Sequence, residues 1–148
     1  MDHNTNGSIE DLELASMRSR MKAFVIDDLS ITLLVLIILW DKISAVNGDV
    51  MMAMMIMNDA FLQIIALKFV YQTFFIWYYG ATIGKIVAKI KVIDYDNFGR
   101  VSLINSAIRS FGRIISESFF YIGFIIAYYT KSRQTFHDKF GKTLVVNV

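Results

Sequence analysis

The sequence predicts an all-α membrane protein: a small transmembrane helical bundle with an interfacial amphipathic helix and a short, hairpin-like β connection. Three observations predict it. The chain has 148 residues, 55% of them hydrophobic and only 19% charged, and a mean hydropathy of +0.49. Soluble domains carry about a quarter charged residues, and a soluble chain this small leaves too much surface in water to hide so much apolar area. Two apolar runs, residues 21–40 and 60–80, match the ~20 residues that a helix needs to cross the hydrocarbon core. Basic residues are also placed unevenly around these runs, as they are around membrane spans.

Composition closes several other routes. Cys and Pro are absent, so disulfides and thiolate metal sites are excluded, and no helix has to kink at a proline. The start, MDHNTNGSIEDLELASM, has no basic stretch followed by an apolar core and a small-residue cleavage site. The first apolar run is therefore expected to stay as an anchor rather than be cleaved as a signal peptide.

Taken in order, residues 1–17 form a polar N-terminal tail, with a short helix a candidate around IEDLELASM, and residues 18–148 form the membrane domain. The first span opens with Arg18, Arg20 and Lys22 and closes at Trp40, a natural interfacial anchor. AVNGDVMMAMMIMNDA follows. Its methionines lack the His or Cys that a soft-metal site would add, so the stretch reads as a flexible apolar surface or an interfacial turn of helix. The second span is interrupted by Gln63, Lys68 and Gln72 and ends in the aromatic belt Trp77-Tyr78-Tyr79. After it, IKVIDYD reads as extended and NFGR as a turn.

Ser102 can cap an interfacial helix over about 102–113. Asn105, Arg109 and Arg113 recur every fourth residue and form one polar stripe, with Ile104, Ala107, Ile108, Phe111 and Ile115 opposite. On this reading Lys85, Lys89, Arg109 and Arg113 face the lipid surface and favour anionic headgroups, each for about 1 kcal/mol. Nucleic acid is not expected as a partner. A third apolar region, about 114–130, is short for a span and carries Glu117 and Gly123. The tail, 131–148, is basic and closes on TLVVNV, a candidate strand.

Arg18, Arg20 and Lys22 before the first span, and the basic segment after the second, place both ends of the pair in the cytoplasm. Whether the third region crosses or re-enters stays open. GATIGK is one residue short of a phosphate loop and has Ile86 where Ser or Thr is required, so nucleotide binding is not expected. Gly80 and Gly84 fit close helix packing instead. No nucleophile–base pair and no metal-ligand group stands out. No enzyme activity, metal or cofactor is expected.

Four segments carry a resemblance. Arg20 followed by AFVID, then GATIGK, then KIKVIDYDNFGRVSL and finally RQTFHDKFGKTLVV together resemble the RDD family of small prokaryotic membrane proteins, named for one arginine and two aspartates. The resemblance runs from Arg18 to Val148 and puts Arg20, Asp27 and Asp138 in the positions of the trio, with Asp28 an extra acid or a sharer of the first role. It implies a multi-pass protein of the bacterial inner membrane, and the basic residues above place its N-terminus in the cytoplasm. It also suggests transport, including sodium/proton exchange.

The charged residues allow two readings. An aspartate inside a bilayer costs about 3 kcal/mol unless it pairs, protonates or meets water. Asp27, Asp28 and Asp138 are candidates to bind a proton or monovalent cation in exchange, since burial and neighbouring cations move a carboxylate pKa in opposite directions. Alternatively they form a structural cluster with Arg20, Lys68, Arg133 and His137, and the protein is a non-transporting adaptor or assembly factor. Either way, so few helices favour a homo-oligomer or a partner membrane protein.

Overall fold

A computed structural model of the chain describes residues 12–118 and 133–148. The helices follow the apolar runs. α1 spans Met17–Ile38 and begins at Ser16, whose hydroxyl accepts from the Ser19 N–H. One stripe of α1 is buried: Arg20, Ala23, Asp27, Ile31 and Val35, continued by Leu39. Steps of three and four residues keep these on a single face. The remaining faces expose Val25, Leu29, Leu33, Ile37 and Ile38.

A short helix α2, Trp40–Ser44, leads through a turn with Asn47 and Gly48 at positive φ to α3, Val50–Asp59. Asp49 starts α3 by accepting from Met51 and Met52 N–H. The methionine-rich stretch is thus a capped helix with exposed methionines, the helical form of the expected apolar surface. α4, Phe61–Tyr79, is the second long helix and stops at Gly80, whose φ of +72° suits a glycine cap. Among the described residues, α4 is the one helix both long and apolar enough to cross a membrane. α1 has the length, but Lys22, Asp27 and Asp28 crowd its apolar part.

α5, Ile83–Val87, is one turn and runs into β1, Ile90–Asp94. α6, Leu103–Ser118, starts beside Ser102, which accepts from Asn105 N–H. α7, Phe136–Phe140, begins with a capping box in which Thr135 and Asp138 satisfy each other's backbone N–H. β2, Thr143–Asn147, ends the chain.

The strands correct the expected hairpin. β1 does not fold back on its own neighbour but pairs antiparallel with the C-terminal β2, in the register Ile90↔Asn147 to Asp94↔Thr143. The end of the N-terminal tail joins them. Leu14 bridges to Val146, and Ala15 is fully buried and donates to Val145 O. No helix forms over residues 12–16. Residues 114–118 of the third apolar region continue α6, and most of that region lies outside the described residues.

Two apolar cores result. One gathers Ala23, Ile76, Ile90, Val92 and Val145 around the sheet. The other joins Ile31, Val35, Leu39, Ala60 and Tyr71 along α1 and α4. On the α1 stripe, Asp27 falls between Ala23 of the first and Ile31 of the second.

Candidate functional site

Between the two cores lies a cluster of buried charges, organised around two carboxylates with no exposed surface, Asp27 and Asp138. A buried carboxylate is tolerable only with its lone pairs filled and its charge offset. Both conditions are met by elements far apart in sequence.

Asp27 projects from α1 toward the α4–α5 connection. It accepts from Tyr71 Oη at 2.9 Å, Thr82 Oγ1 at 2.6 Å and Gly84 N–H at 2.9 Å. Tyr71 Oη in turn accepts from Ile83 N–H at 3.2 Å. Thr82 stands at the start of α5 but makes no side-chain cap, because its hydroxyl is spent on Asp27. The approach is possible because residue 84 is a glycine: a Cβ there would lie 2.0 Å from Ala23 O. Two cations stand just outside hydrogen-bond range, Arg113 Nη1 at 3.8 Å and Lys85 Nζ at 3.9 Å.

Asp138 is held by α7's capping box and clamped by two guanidiniums. Arg20 Nη1 donates to Oδ2 at 2.6 Å, and Arg109 Nη1 donates to Oδ1. Thr135 N–H also donates to Oδ2 at 3.1 Å. Arg109 reaches Thr143 Oγ1 at 2.9 Å, tying the pair to β2. Arg20 and Asp138 thus join α1 to α7, and Arg109 brings in α6.

A third group is more open. Lys68 of α4 contacts Asp28 at 3.4 Å and Glu117 at 3.2 Å, and Arg113 Nε donates to Glu117 at 3.1 Å. The Asp28 side chain is 49% exposed, against 0% for Asp27. Adjacent positions on a helix point about 100° apart, which is why one aspartate faces the centre and the other its edge.

The environment is basic. Arg20, Lys85, Arg109 and Arg113 are each buried, and together they outnumber the two fully buried carboxylates. Burial, and then the neighbouring guanidiniums, push the Lys85 ammonium well below its usual pKa, with Asp27 opposing. His137 is pushed down by burial and then by Arg109, Arg113, Lys85 and Arg20. It therefore sits neutral, with Nε2 4.0 Å from Asp138 Oδ1.

The expected residues are partly regrouped. Arg20, Asp27 and Asp138 all reach the cluster, but Arg20 pairs with Asp138 and not with Asp27. Lys68 takes Asp28. Arg133 is exposed and lies near the backbone of Leu14, at 3.5 Å from its carbonyl oxygen, rather than at either carboxylate. Of the two glycines expected to pack closely, Gly84 lies against α1, while Gly80 ends α4 and lies against β1, where a Cβ would meet Lys91 Cε at 2.8 Å.

The largest correction concerns the basic residues expected at the lipid surface. Lys85, Arg109 and Arg113 point inward, and of the four only Lys89 is exposed. α6 is amphipathic as expected, but its apolar residues Ile104 and Phe111 face out. Charges need partners more than apolar groups need a core when lipid can cover the latter.

Tyr71, Thr82 and Thr143 were not anticipated. Hydroxyls inside apolar runs carry no local signal of their target. The capping box at Thr135-Phe136-His137-Asp138 does have a sequence signature.

Neither the curated proteins nor the solved structures contain a match to this chain. The model of the family described as "RDD family" matches residues 14–142. That match takes in α1 with Arg20 and Asp27, the α4–α5 connection, α6, and α7 with Asp138. The chain belongs to the RDD family, a generally membrane-associated family.

Proposed function

We propose that this protein is a multi-pass scaffold of the bacterial inner membrane that does not itself transport ions. In this reading α1 and α4 cross the bilayer with the N-terminus in the cytoplasm. The module holds partner membrane proteins, a second copy of itself or anionic lipids against its apolar exterior. The Arg/Asp cluster is its internal lock.

One observation carries this reading. The acceptor atoms of Asp27 and Asp138 are already taken by protein donors, and cations surround both. A carboxylate that exchanges Na⁺ for H⁺ needs free lone pairs and room for the ion. Each of these two already accepts three hydrogen bonds and has basic side chains within 4 Å. Each instead joins elements that, among the described residues, no backbone hydrogen bond connects, as a lock should.

A second reading, a cation/proton exchanger, draws on the more open group. Asp28 and Glu117 share Lys68 at the edge of the cluster, and the half-exposed Asp28 can reach water. An exchanger would use these acids and not the buried pair.

Proton flux in proteoliposomes decides between them. A pH gradient is imposed, Na⁺, Li⁺ or K⁺ is added, and wild type is compared with Asp27→Asn and Asp28→Asn. The scaffold reading expects no cation-dependent flux from folded wild type and loss of assembly in Asp27→Asn. Flux that disappears in a well-assembled Asp28→Asn protein would establish the exchanger instead.

A further inference from the structure

Four cations converge on a small cavity between α1, α5, α6 and α7. Arg20, Lys85, Arg109 and Arg113 line it with His137, and its volume is about 20 Å³. That is room for one water-sized species. Each of the four is at least nine-tenths buried.

Several of their donors are unused. Arg20 Nε and Nη2 are buried and have no hydrogen-bond partner among the described residues, since Asp138 takes only Nη1. Lys85 Nζ has Asp27 at 3.9 Å, beyond hydrogen-bond reach. Arg113 is turned to Glu117 through Nε and approaches Asp27 only to 3.8 Å. A buried guanidinium with idle donors is expensive, and clustering it with like charges raises the cost. Water can fill hydrogen bonds, but it leaves the excess charge standing.

We propose that this cavity is a binding site for one small inorganic anion of halide size. Such an ion fills the volume, takes the idle donors of Arg20 and Lys85, and offsets the charge that Asp27, Asp138 and Glu117 leave uncompensated. Burial first, and then the neighbouring cations, lower the proton affinity of His137 and Lys85. A tetrahedral phosphate group is too large to enter whole, so a lipid headgroup would have to present one oxygen from outside. The site stands apart from the question of transport, because it rests on donors, charge and volume.

The test uses full-length protein in detergent. Chloride is titrated against gluconate at constant ionic strength, and Tm is followed. Gluconate is too large for the cavity. Binding predicts a saturable rise of several degrees as chloride passes its Kd, with bromide acting like chloride. Lys85→Met removes a cavity cation without removing a hydrogen bond and is expected to weaken the chloride effect at least tenfold.

Should Lys85→Met not fold, bromide anomalous diffraction from wild-type crystals decides, with a peak beside Arg20 supporting the site and its absence overturning it. Equal Tm in chloride and gluconate overturns the proposal. So does a rise produced by phosphatidylglycerol vesicles and not by halide, which would reassign the cavity to a headgroup oxygen.

Discussion

Asp138→Asn isolates the charge of the lock while keeping its shape. The asparagine oxygen still accepts from Thr135 N–H, so the helix cap is largely preserved. The Arg20 and Arg109 side chains, each 5% exposed, lose their counter-ion. Breaking one buried ion pair from one side costs about 3–5 kcal/mol. Here two guanidiniums lose the same carboxylate, so the loss should lie near the top of that range, about 5 kcal/mol. Domain stabilities are only about 5–15 kcal/mol, so the variant should be marginal. At about 2–4 °C per kcal/mol for a chain of this size, Tm should fall by roughly 10–20 °C. The assay is thermal unfolding of detergent-solubilised protein followed by tryptophan fluorescence, with Arg109→Met and the double variant alongside. Removing both partners leaves less unpaired charge, so the double variant should be more stable than Asp138→Asn alone, with coupling above about 1 kcal/mol. A fall of less than about 3 °C, or effects that simply add, would refute the claim that Asp138 is the central counter-ion.

Gly84→Ala should be as damaging. The new Cβ would lie 2.0 Å from Ala23 O, so α5 must move off α1, at about 1–3 kcal/mol for overpacking. The Gly84 N–H bond to Asp27 would go as well, at about 1.5–3 kcal/mol. Gly112→Ala, whose Cβ would meet His137 Cα and Cβ at 3.3 Å and Phe140 Cβ at 3.9 Å, should be much milder, and equal Tm losses would contradict the packing argument. His137 sets a pH dependence. Its folded pKa lies well below the ordinary 6.5, so the unfolded chain binds a proton that the folded one refuses. Stability is therefore full above pH 6.5 and falls as pH drops below it, by at most about 1.4 kcal/mol per pH unit. Tm measured from pH 7.5 to 5 should show this slope in wild type and a shallower one in His137→Gln, whatever the variant's absolute stability. An unchanged slope would mean that His137 is not the group that titrates.

Much of this protein is legible without a structure. The apolar runs give α1 and α4 to within a few residues, because long, mostly apolar stretches without Gly or Pro favour unbroken helices. Ser102, Asp49 and the Thr135–Asp138 box mark helix starts, because capping is chemistry between near neighbours. The four-residue recurrence of Asn105, Arg109 and Arg113 shows that α6 has a polar face. What the recurrence leaves open is the direction of that face. In water the apolar side turns inward; beside lipid the charges turn inward, and Arg109 and Arg113 do so. The pairings also belong to the tertiary structure. Arg20 meets Asp138 across 118 positions, and Asp27 is satisfied by Tyr71 and Thr82 from another helix and its connection. Helical spacing ties Arg20 to Asp27 through a shared face, yet a shared face sets only direction, and contact depends on which elements pack against it. The strands show the same division: alternation and β-branched residues mark β1 and β2, but only the fold decides that β1's partner is the C-terminal strand.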